Sequence, residues 1–223
     1  MIKTPDLIAS LAANATPVRR LRPPVIRAAC WLLLAAVILT LQAVNQGIRP
    51  DLVQRLRDPG FDVSLAGALL TGVLAAIAAF LLSLPDRSRL WLLLPVPALI
   101  VWLSNVGYQC LVDWIAIGPS GVSPGETARC FATLVLTSLP LSLAMLVMLR
   151  YAAPLRPTAV ALTGSLSIAA VTATALSLFH ATDATVMILM WNVGTTVLFV
   201  GLAAIFGRGM FRWVAPREFC AQD

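Results

Sequence analysis

PVIRAACWLLLAAVILTLQAV, residues 24–44, is the first long apolar run of the chain. A bilayer core is crossed by roughly twenty apolar residues in a helix. Isolated strands cannot cross it, because their backbone groups would lack hydrogen-bond partners. The chain contains further apolar runs of similar length at residues 63–84, 90–108, 130–149, 158–179 and 184–206. The sequence therefore predicts an all-α integral membrane bundle of six transmembrane helices, preceded by a short amphipathic helix.

The composition agrees with a membrane protein. Of the 223 residues, 59% are hydrophobic and 12% are charged, and the mean hydropathy is +0.88. Soluble domains carry about a quarter charged residues. The net charge of +6 could indicate nucleic acid binding, but the charges lie at the ends of the apolar runs, as topology signals do. We therefore expect contact with membrane lipid and no direct contact with nucleic acid.

The distribution of basic residues predicts the orientation. Twelve Lys and Arg residues lie on one side of the six predicted spans and four on the other. Basic residues are enriched on the cytoplasmic side of membrane proteins. This bias predicts that both termini are cytoplasmic. The chain then divides into a cytoplasmic peptide at residues 1–23, a transmembrane domain at 24–207 and a cytoplasmic tail at 208–223.

The interiors of the predicted spans lack the groups that transporters and intramembrane enzymes use. They contain no Asp, Glu, Lys or His. Arg27 lies one turn inside the first span, from where its side chain can reach the membrane surface. Trp31 lies near the end of the same span, as interfacial anchors do. No metalloprotease, hydrolase or P-loop motif is present, so we expect no enzyme activity and no small-molecule substrate.

Two further patterns concern helix packing. Ala68, Gly72 and Ala76 recur at four-residue spacing in the second span, which favours close approach of a neighbouring helix. Asn105 in the third span is polar, and we expect it to form a hydrogen bond between helices.

The first residues of the chain have the pattern of a capped amphipathic helix. Thr4, Pro5 and Asp6 are typical of a helix start. An apolar stripe follows at three- and four-residue spacing, and basic residues end the segment: Leu7, Ile8, Leu11, Ala15 and Val18, then Arg19, Arg20 and Arg22. The segment could lie on the inner leaflet against anionic lipid. It could equally bind as a helix in the groove of a cytoplasmic partner.

Two cysteines are predicted at the outer face. Cys110 ends the third run, Cys130 begins the fourth, and 19 residues separate them. In an oxidising compartment such a pair can form a structural disulfide, which contributes about 3 kcal/mol for a loop of this length. The alternative is a redox or metal sensor. His180, with Asp183 and Met187, could complete a site for a soft transition metal such as copper, zinc or cadmium.

The chain resembles the NrsF-like six-span anti-sigma factors, which are membrane proteins of proteobacteria that hold an extracytoplasmic-function sigma factor inactive. The resemblance extends over almost the whole chain. It rests on DLIASLAANATPVRRLRPP, RPDLVQRLRDPGF, LPDRSRLWLLLPVPAL, GYQCLVDW, CFATLVLTSLPLSLAMLVMLRYAAPLRP, SLFHATDATVMILMWNVGT and GRGMFRWVAP, in this order.

The resemblance implies a partner and two sites. The partner would be an extracytoplasmic-function sigma factor, bound at the inner membrane of a bacterium. The sigma-binding residues would be Asp6, Leu7, Ile8, Leu11, Val18, Arg19, Arg20 and Leu21. Cys110 and Cys130, with His180 as a further metal ligand, would receive a periplasmic signal such as a metal or an oxidant. The alternatives are a metal-related membrane transporter or channel, and a membrane-bound redox enzyme that uses the two cysteines.

Overall fold

The computed structural model describes residues 22–116, 124–149 and 157–179, together with Thr4, Ala9, Ala12 and Ala13. At residues 109–116, 124–130 and 157 it describes the backbone alone. These ranges are helical apart from short connections and contain no strand. The helices are α1 (Pro24–Gln46), α2 (Leu52–Arg55), α3 (Pro59–Leu82), α4 (Val96–Ala116), α5 (Pro124–Leu149) and α6 (Pro157–Phe179). A 3-10 helix, Arg89–Leu93, precedes α4.

Five segments are long and apolar enough to cross a membrane. They are Pro24–Gln46, Pro59–Leu82, Arg89–Tyr108, Phe131–Leu149 and Thr158–Phe179. They correspond to the first five predicted spans. The sixth, at residues 184–206, lies outside the described residues, as does the tail at 208–223. Thr4, Ala9, Ala12 and Ala13 are helical and exposed, and the amphipathic N-terminal helix as a whole stays a prediction.

Local sequence explains where the helices begin and end. Pro24 occupies the first turn of α1, where its missing N–H costs nothing. Gly47 ends α1 with φ of 77°, a conformation that favours glycine. Asp58 caps α3 by accepting a hydrogen bond from the Gly60 N–H at 3.1 Å. Ser88 accepts one from the Leu90 N–H at 3.2 Å at the start of the 3-10 helix.

Helix α3 is the centre of the described bundle and packs against α1, α4 and α6. Its small residues allow this close packing. A Cβ atom built on Gly67 would lie 3.0 Å from Trp102 Cβ on α4, and one on Gly72 would lie 3.1 Å from Val171 Cγ2 on α6. Ser167 Oγ on α6 also donates to the Gly72 carbonyl at 2.7 Å. The predicted tight packing of the small-residue stripe is confirmed.

The helix order gives the bundle two ends. We call the end where α1 begins and α3 and α5 finish the proximal end, and the opposite end the distal end. Helix α4 packs mainly against α3, whereas α5 packs against α1 and α6. Within the described residues α4 and α5 share no comparable interface, although they are consecutive in the chain. Any link between them therefore joins helices that belong to different parts of the bundle.

Candidate functional site

The distal connection between α1 and α3 is organised by Arg49. Its Nε and Nη2 atoms donate to the two carboxylate oxygens of Asp51, each at 2.8 Å. Its guanidinium also lies over the Phe61 ring, 5.5 Å from the ring centroid. Arg49 is 6% exposed, whereas the Asp51 side chain is 37% exposed, so the ion pair joins a buried guanidinium to a carboxylate at the surface. We call these three residues the Arg49 clamp, and they lie within RPDLVQRLRDPGF, one of the stretches quoted for the family resemblance.

The clamp sets the ionisation of Asp51. The hydrogen bonds from Arg49 lower the pKa of the Asp51 carboxyl from 3.8 to about 2. The positive charge of Arg55, whose Nε lies 3.6 Å from Asp51 Oδ2, acts in the same direction. Asp51 therefore stays ionised at any physiological pH, and its ion pair with Arg49 persists over that range.

The connection also contacts three other helices. The Arg49 N–H donates to the Leu178 carbonyl of α6 at 3.2 Å. Asn105 Nδ2 of α4 donates to the Gly60 carbonyl at 2.6 Å, which confirms the interhelical hydrogen bond predicted for Asn105. Thr133 Oγ1 of α5 donates to Gln46 Oε1 at the end of α1, at 2.9 Å. Residues 46–61 thus tie the distal ends of α4, α5 and α6 to one another.

A row of polar contacts runs from this connection along α1 and α5 toward the proximal end. After the Gln46–Thr133 bond, Gln42 Nε2 donates to Thr137 Oγ1 at 2.8 Å, and both side chains are buried. Trp31 Nε1 then donates to the Leu141 carbonyl at 3.2 Å. Arg27 Nη2 donates to the carbonyl of Met148. We call these four contacts the α1–α5 seam.

Arg27 forms the proximal end of the seam. Its guanidinium lies 5.2 Å from the centroid of the Phe80 ring, at the end of α3. Arg27 is 6% exposed, and its Nη1 atom is buried without a hydrogen-bond partner. The side chain therefore does not extend to the membrane surface as the sequence suggested. It turns inward because the ends of α3 and α5 offer an aromatic face and a free terminal carbonyl.

Trp31 also differs from the expectation. It was predicted to anchor the first span at the membrane interface, but it is 0% exposed. It packs in the core with Phe80, Leu141 and Met145. An indole is buried without penalty when its N–H has an acceptor, and the Leu141 carbonyl provides one. Trp31 is thus a packing residue of the α1–α5 interface.

The two cysteines predicted to sense a signal lie on different helices at the distal end. Cys110 is in α4 and Cys130 in α5, and each helix continues six residues beyond its cysteine, to Ala116 and back to Pro124. The connection is therefore shorter than the 19-residue loop expected from the apolar runs. Asn105 and Thr133, which precede and follow these cysteines by about a turn, both contact the connection at 46–61.

Other predicted site residues lie outside the described part of the chain. His180 follows the end of α6, and the sigma-binding residues between Asp6 and Leu21 are likewise not described. Among the described side chains there is no group of three His, Cys, Asp or Glu that could hold a metal. Because the side chains of Cys110 and Cys130 are not among them, the proposed soft-metal site stays a prediction.

The sequence reasoning missed the polar residues of the seam. Gln42, Thr133 and Thr137 lie within the predicted spans and Gln46 lies just beyond the first, and no contact was predicted for any of the four. A signal was present, because Gln42 and Gln46 are four residues apart and fall on the same helix face as Arg27 and Trp31. Thr133 and Thr137 have the same spacing in the fourth span. Polar residues four positions apart in each of two helices indicate a polar contact between those helices.

A family model described as NrsF, negative regulator of sigma F, matches residues 11–213. No curated protein matches the chain, and no solved structure does. The match includes every described helix from α1 to α6 and the greater part of the predicted sigma-binding segment.

Proposed function

This chain belongs to the NrsF family, the negative regulators of sigma F, and on that premise we propose that it is a membrane anti-sigma factor for an extracytoplasmic-function sigma factor. The single observation that carries the proposal is the match over residues 11–213. Residues 6–21 would bind the sigma factor as a helix. Leu7, Ile8 and Leu11 would enter a groove on the sigma factor, and Arg19 and Arg20 would face acidic residues at its rim.

The described bundle supports a regulator over a transporter or channel. Membrane transporters place ionisable residues along a substrate path. In the described spans the one buried charged side chain is Arg27, and it is enclosed by Phe80 and Met148 at one end of the bundle. The centre is filled by α3, whose buried residues are mostly Ala and Gly in direct contact with α4 and α6. Such a core packs helices tightly, and the described spans place no row of ionisable residues between the two ends of the bundle.

The proposal fixes the orientation of the bundle. A sigma factor acts in the cytoplasm, so the segment at residues 1–23 and the proximal end would face it. The distal end would then face the periplasm, in agreement with the twelve-to-four distribution of basic residues. Cys110 and Cys130 would lie on the side that meets an external metal or oxidant. We propose that a change in their bonding releases the sigma factor, and their position at the distal ends of α4 and α5 supports this assignment.

The binding segment is tested by a pair of variants that introduce the same charge on opposite helix faces. Leu11→Asp places a carboxylate on the apolar stripe, and Ala13→Asp places one about 200° away around the helix, on the opposite face. Full-length protein is purified in detergent with its co-expressed sigma factor, and the co-purified sigma factor is quantified. A hot-spot leucine is worth about 2 kcal/mol, or roughly thirtyfold in affinity. Leu11→Asp should lose the sigma factor, and Ala13→Asp should retain it.

Membrane abundance of each variant is measured in parallel. Retention of the sigma factor by Leu11→Asp at normal abundance would contradict the proposed binding face. Loss of membrane insertion in that variant would indicate that the segment serves the membrane rather than a partner. Deletion of residues 1–22 provides the limiting case, because it removes the whole segment and leaves α1 intact.

A further inference from the structure

The α1–α5 seam connects the two ends of the bundle along the helix that directly follows the N-terminal segment. Helix α1 has 23 residues and is therefore about 35 Å long. Its distal end contacts Thr133, three residues from Cys130, and its proximal end begins at Pro24, where the segment at 1–23 finishes. We propose that the seam is the coupling element of this protein, so that a change at the distal end shifts α1 against α5 and alters sigma binding. This inference rests on the proposed function.

The chemistry of the seam suits a movable interface. Helix α3 contacts α4 and α6 through Gly67 and Gly72, where an added Cβ would lie 3.0 and 3.1 Å from the neighbouring helix, closer than ordinary van der Waals contact. Contacts as close as these favour a single arrangement of the two helices. The seam is formed instead by the ends of Gln42, Gln46 and Arg27, which have rotatable side chains and can exchange one hydroxyl or carbonyl partner for another. Of the interfaces around α1 and α3, the seam is the one whose polar contacts can exchange partners at both ends, on either side of the packed contact between Trp31 and Leu141.

A proline in the partner helix adds to this freedom. Pro140 lies inside α5, between Thr137 and Leu141, which are the two central partners of α1. A proline inside a helix removes one intrahelical hydrogen bond and allows a bend at that point. The distal half of α5, which carries Cys130, can therefore tilt relative to the proximal half while both halves stay helical.

Arg27 makes the proximal end of the seam easy to release. A buried guanidinium requires partners for its donors, but Nη1 has none and Arg27 forms no ion pair within the described residues. Pro24 and Arg22, the latter exposed, lie within two turns of it on the proximal side. A small shift of α1 along α5 would return the guanidinium to water, which offsets the loss of its contacts with Met148 and Phe80.

The test removes one hydroxyl from the seam and one from elsewhere in the core. Thr137→Val abolishes the bond with Gln42, and Thr137→Ser keeps it. Thr172→Val is the matched control, because Thr172 is buried and donates only within its own helix, to the Ile168 carbonyl at 2.8 Å. The dissociation constant for purified sigma factor is measured with each full-length variant in lipid nanodiscs. Helicity and elution volume confirm folding.

Thr137→Val should weaken sigma binding by up to about threefold, because loss of one hydrogen bond between membrane helices shifts a two-state equilibrium by about that factor. Thr137→Ser and Thr172→Val should bind as the unmodified chain does. Equal affinity of Thr137→Val and the unmodified chain, or an equal loss in Thr172→Val, would overturn the proposal.

A second readout needs no sigma factor. Hydrogen–deuterium exchange of residues 1–23 is followed in the same variants, and Thr137→Val should change its rate by a similar factor while Thr172→Val leaves it unchanged. If the unmodified chain binds no sigma factor, the proposed function fails. Unchanged exchange in Thr137→Val refutes the coupling element, whatever the result of the binding experiment.

Discussion

Substitution of Gly67 by alanine should loosen α4 from the bundle. The added Cβ would lie 3.0 Å from Trp102 Cβ and 3.2 Å from Trp102 Cα. Both atoms belong to or adjoin the α4 backbone, so no side-chain rotation can relieve the contact. Helix α4 has to move by several tenths of an ångström, and with it the helix that carries Cys110.

The size of the effect follows from comparison with Gly164→Ala. Among the described residues, a Cβ on Gly164 would meet only Met145 Cγ, at 3.6 Å, which is ordinary van der Waals contact. Both substitutions gain the same helix propensity, about 1 kcal/mol, because both glycines lie inside helices. Only Gly67→Ala pays for overpacking, at about 1–3 kcal/mol. The propensity gain cancels in the comparison, so Gly67→Ala should be less stable than Gly164→Ala by about 1–3 kcal/mol.

The assay is equilibrium unfolding of the two variants in mixed micelles with increasing SDS, followed by tryptophan fluorescence. Gly164→Ala should unfold at the same or higher SDS fraction than the unmodified chain, and Gly67→Ala at a lower one. Equal midpoints for the two variants would refute the reasoning, because they would show that α4 yields to an added methyl group without cost.

Three further predictions concern the charged and sulfur groups. Arg27→Met should leave the free energy of unfolding within about 1 kcal/mol of that of the unmodified chain. The lost hydrogen bond and ring contact are offset by removal of a buried unpaired donor. A loss above about 3 kcal/mol would contradict this and reveal a stronger partner of Arg27. Asp51 has a folded pKa of about 2 against 3.8 when unpaired, so the contribution of its bond with Arg49 is complete above pH 3.8 and is lost as the pH falls through 2. Thermal unfolding between these pH values should show that dependence, and Asp51→Asn should lack it. Cys110→Ser and Cys130→Ser should each keep normal membrane abundance but abolish induction of a sigma-dependent reporter by cadmium; reduced abundance with an intact response would assign the cysteines a structural role.

The five described spans could be predicted from the sequence because each depends on a local property, namely the length of an apolar run. The packing of α3 was predictable for the same reason, since small residues at four-residue spacing act through the helix that carries them. The extents of α4 and α5 were not. Helix α4 continues past its apolar run through Gln109 and Asp113, and α5 begins in the polar stretch at residues 124–129, so the ends of the apolar runs do not mark the ends of these helices.

The positions of Arg27 and Trp31 could not be obtained from local sequence. Their hydrogen-bond partners on α5 lie 121 and 110 residues further along the chain. Near the end of an apolar run, an arginine or tryptophan ordinarily reaches the interface, and that expectation fails when a distant helix supplies a carbonyl and an aromatic face. All contacts of the seam depend in this way on a distant part of the chain, because each of them joins α1 to α5.

The central position of α3 has a consequence for biosynthesis. The hydrogen bond from Ser167 to Gly72 joins residues 95 positions apart, so the partner that covers α3 is synthesised long after α3 itself. At about 5–20 residues per second, the ribosome needs about 5–20 s to supply it. During that interval the Gly- and Ala-rich face of α3 is exposed to lipid or to the insertion machinery, while residues 1–23 have already been made. A nascent chain stalled before residue 157 therefore has its N-terminal segment and lacks the helix that covers the glycine-rich face of α3.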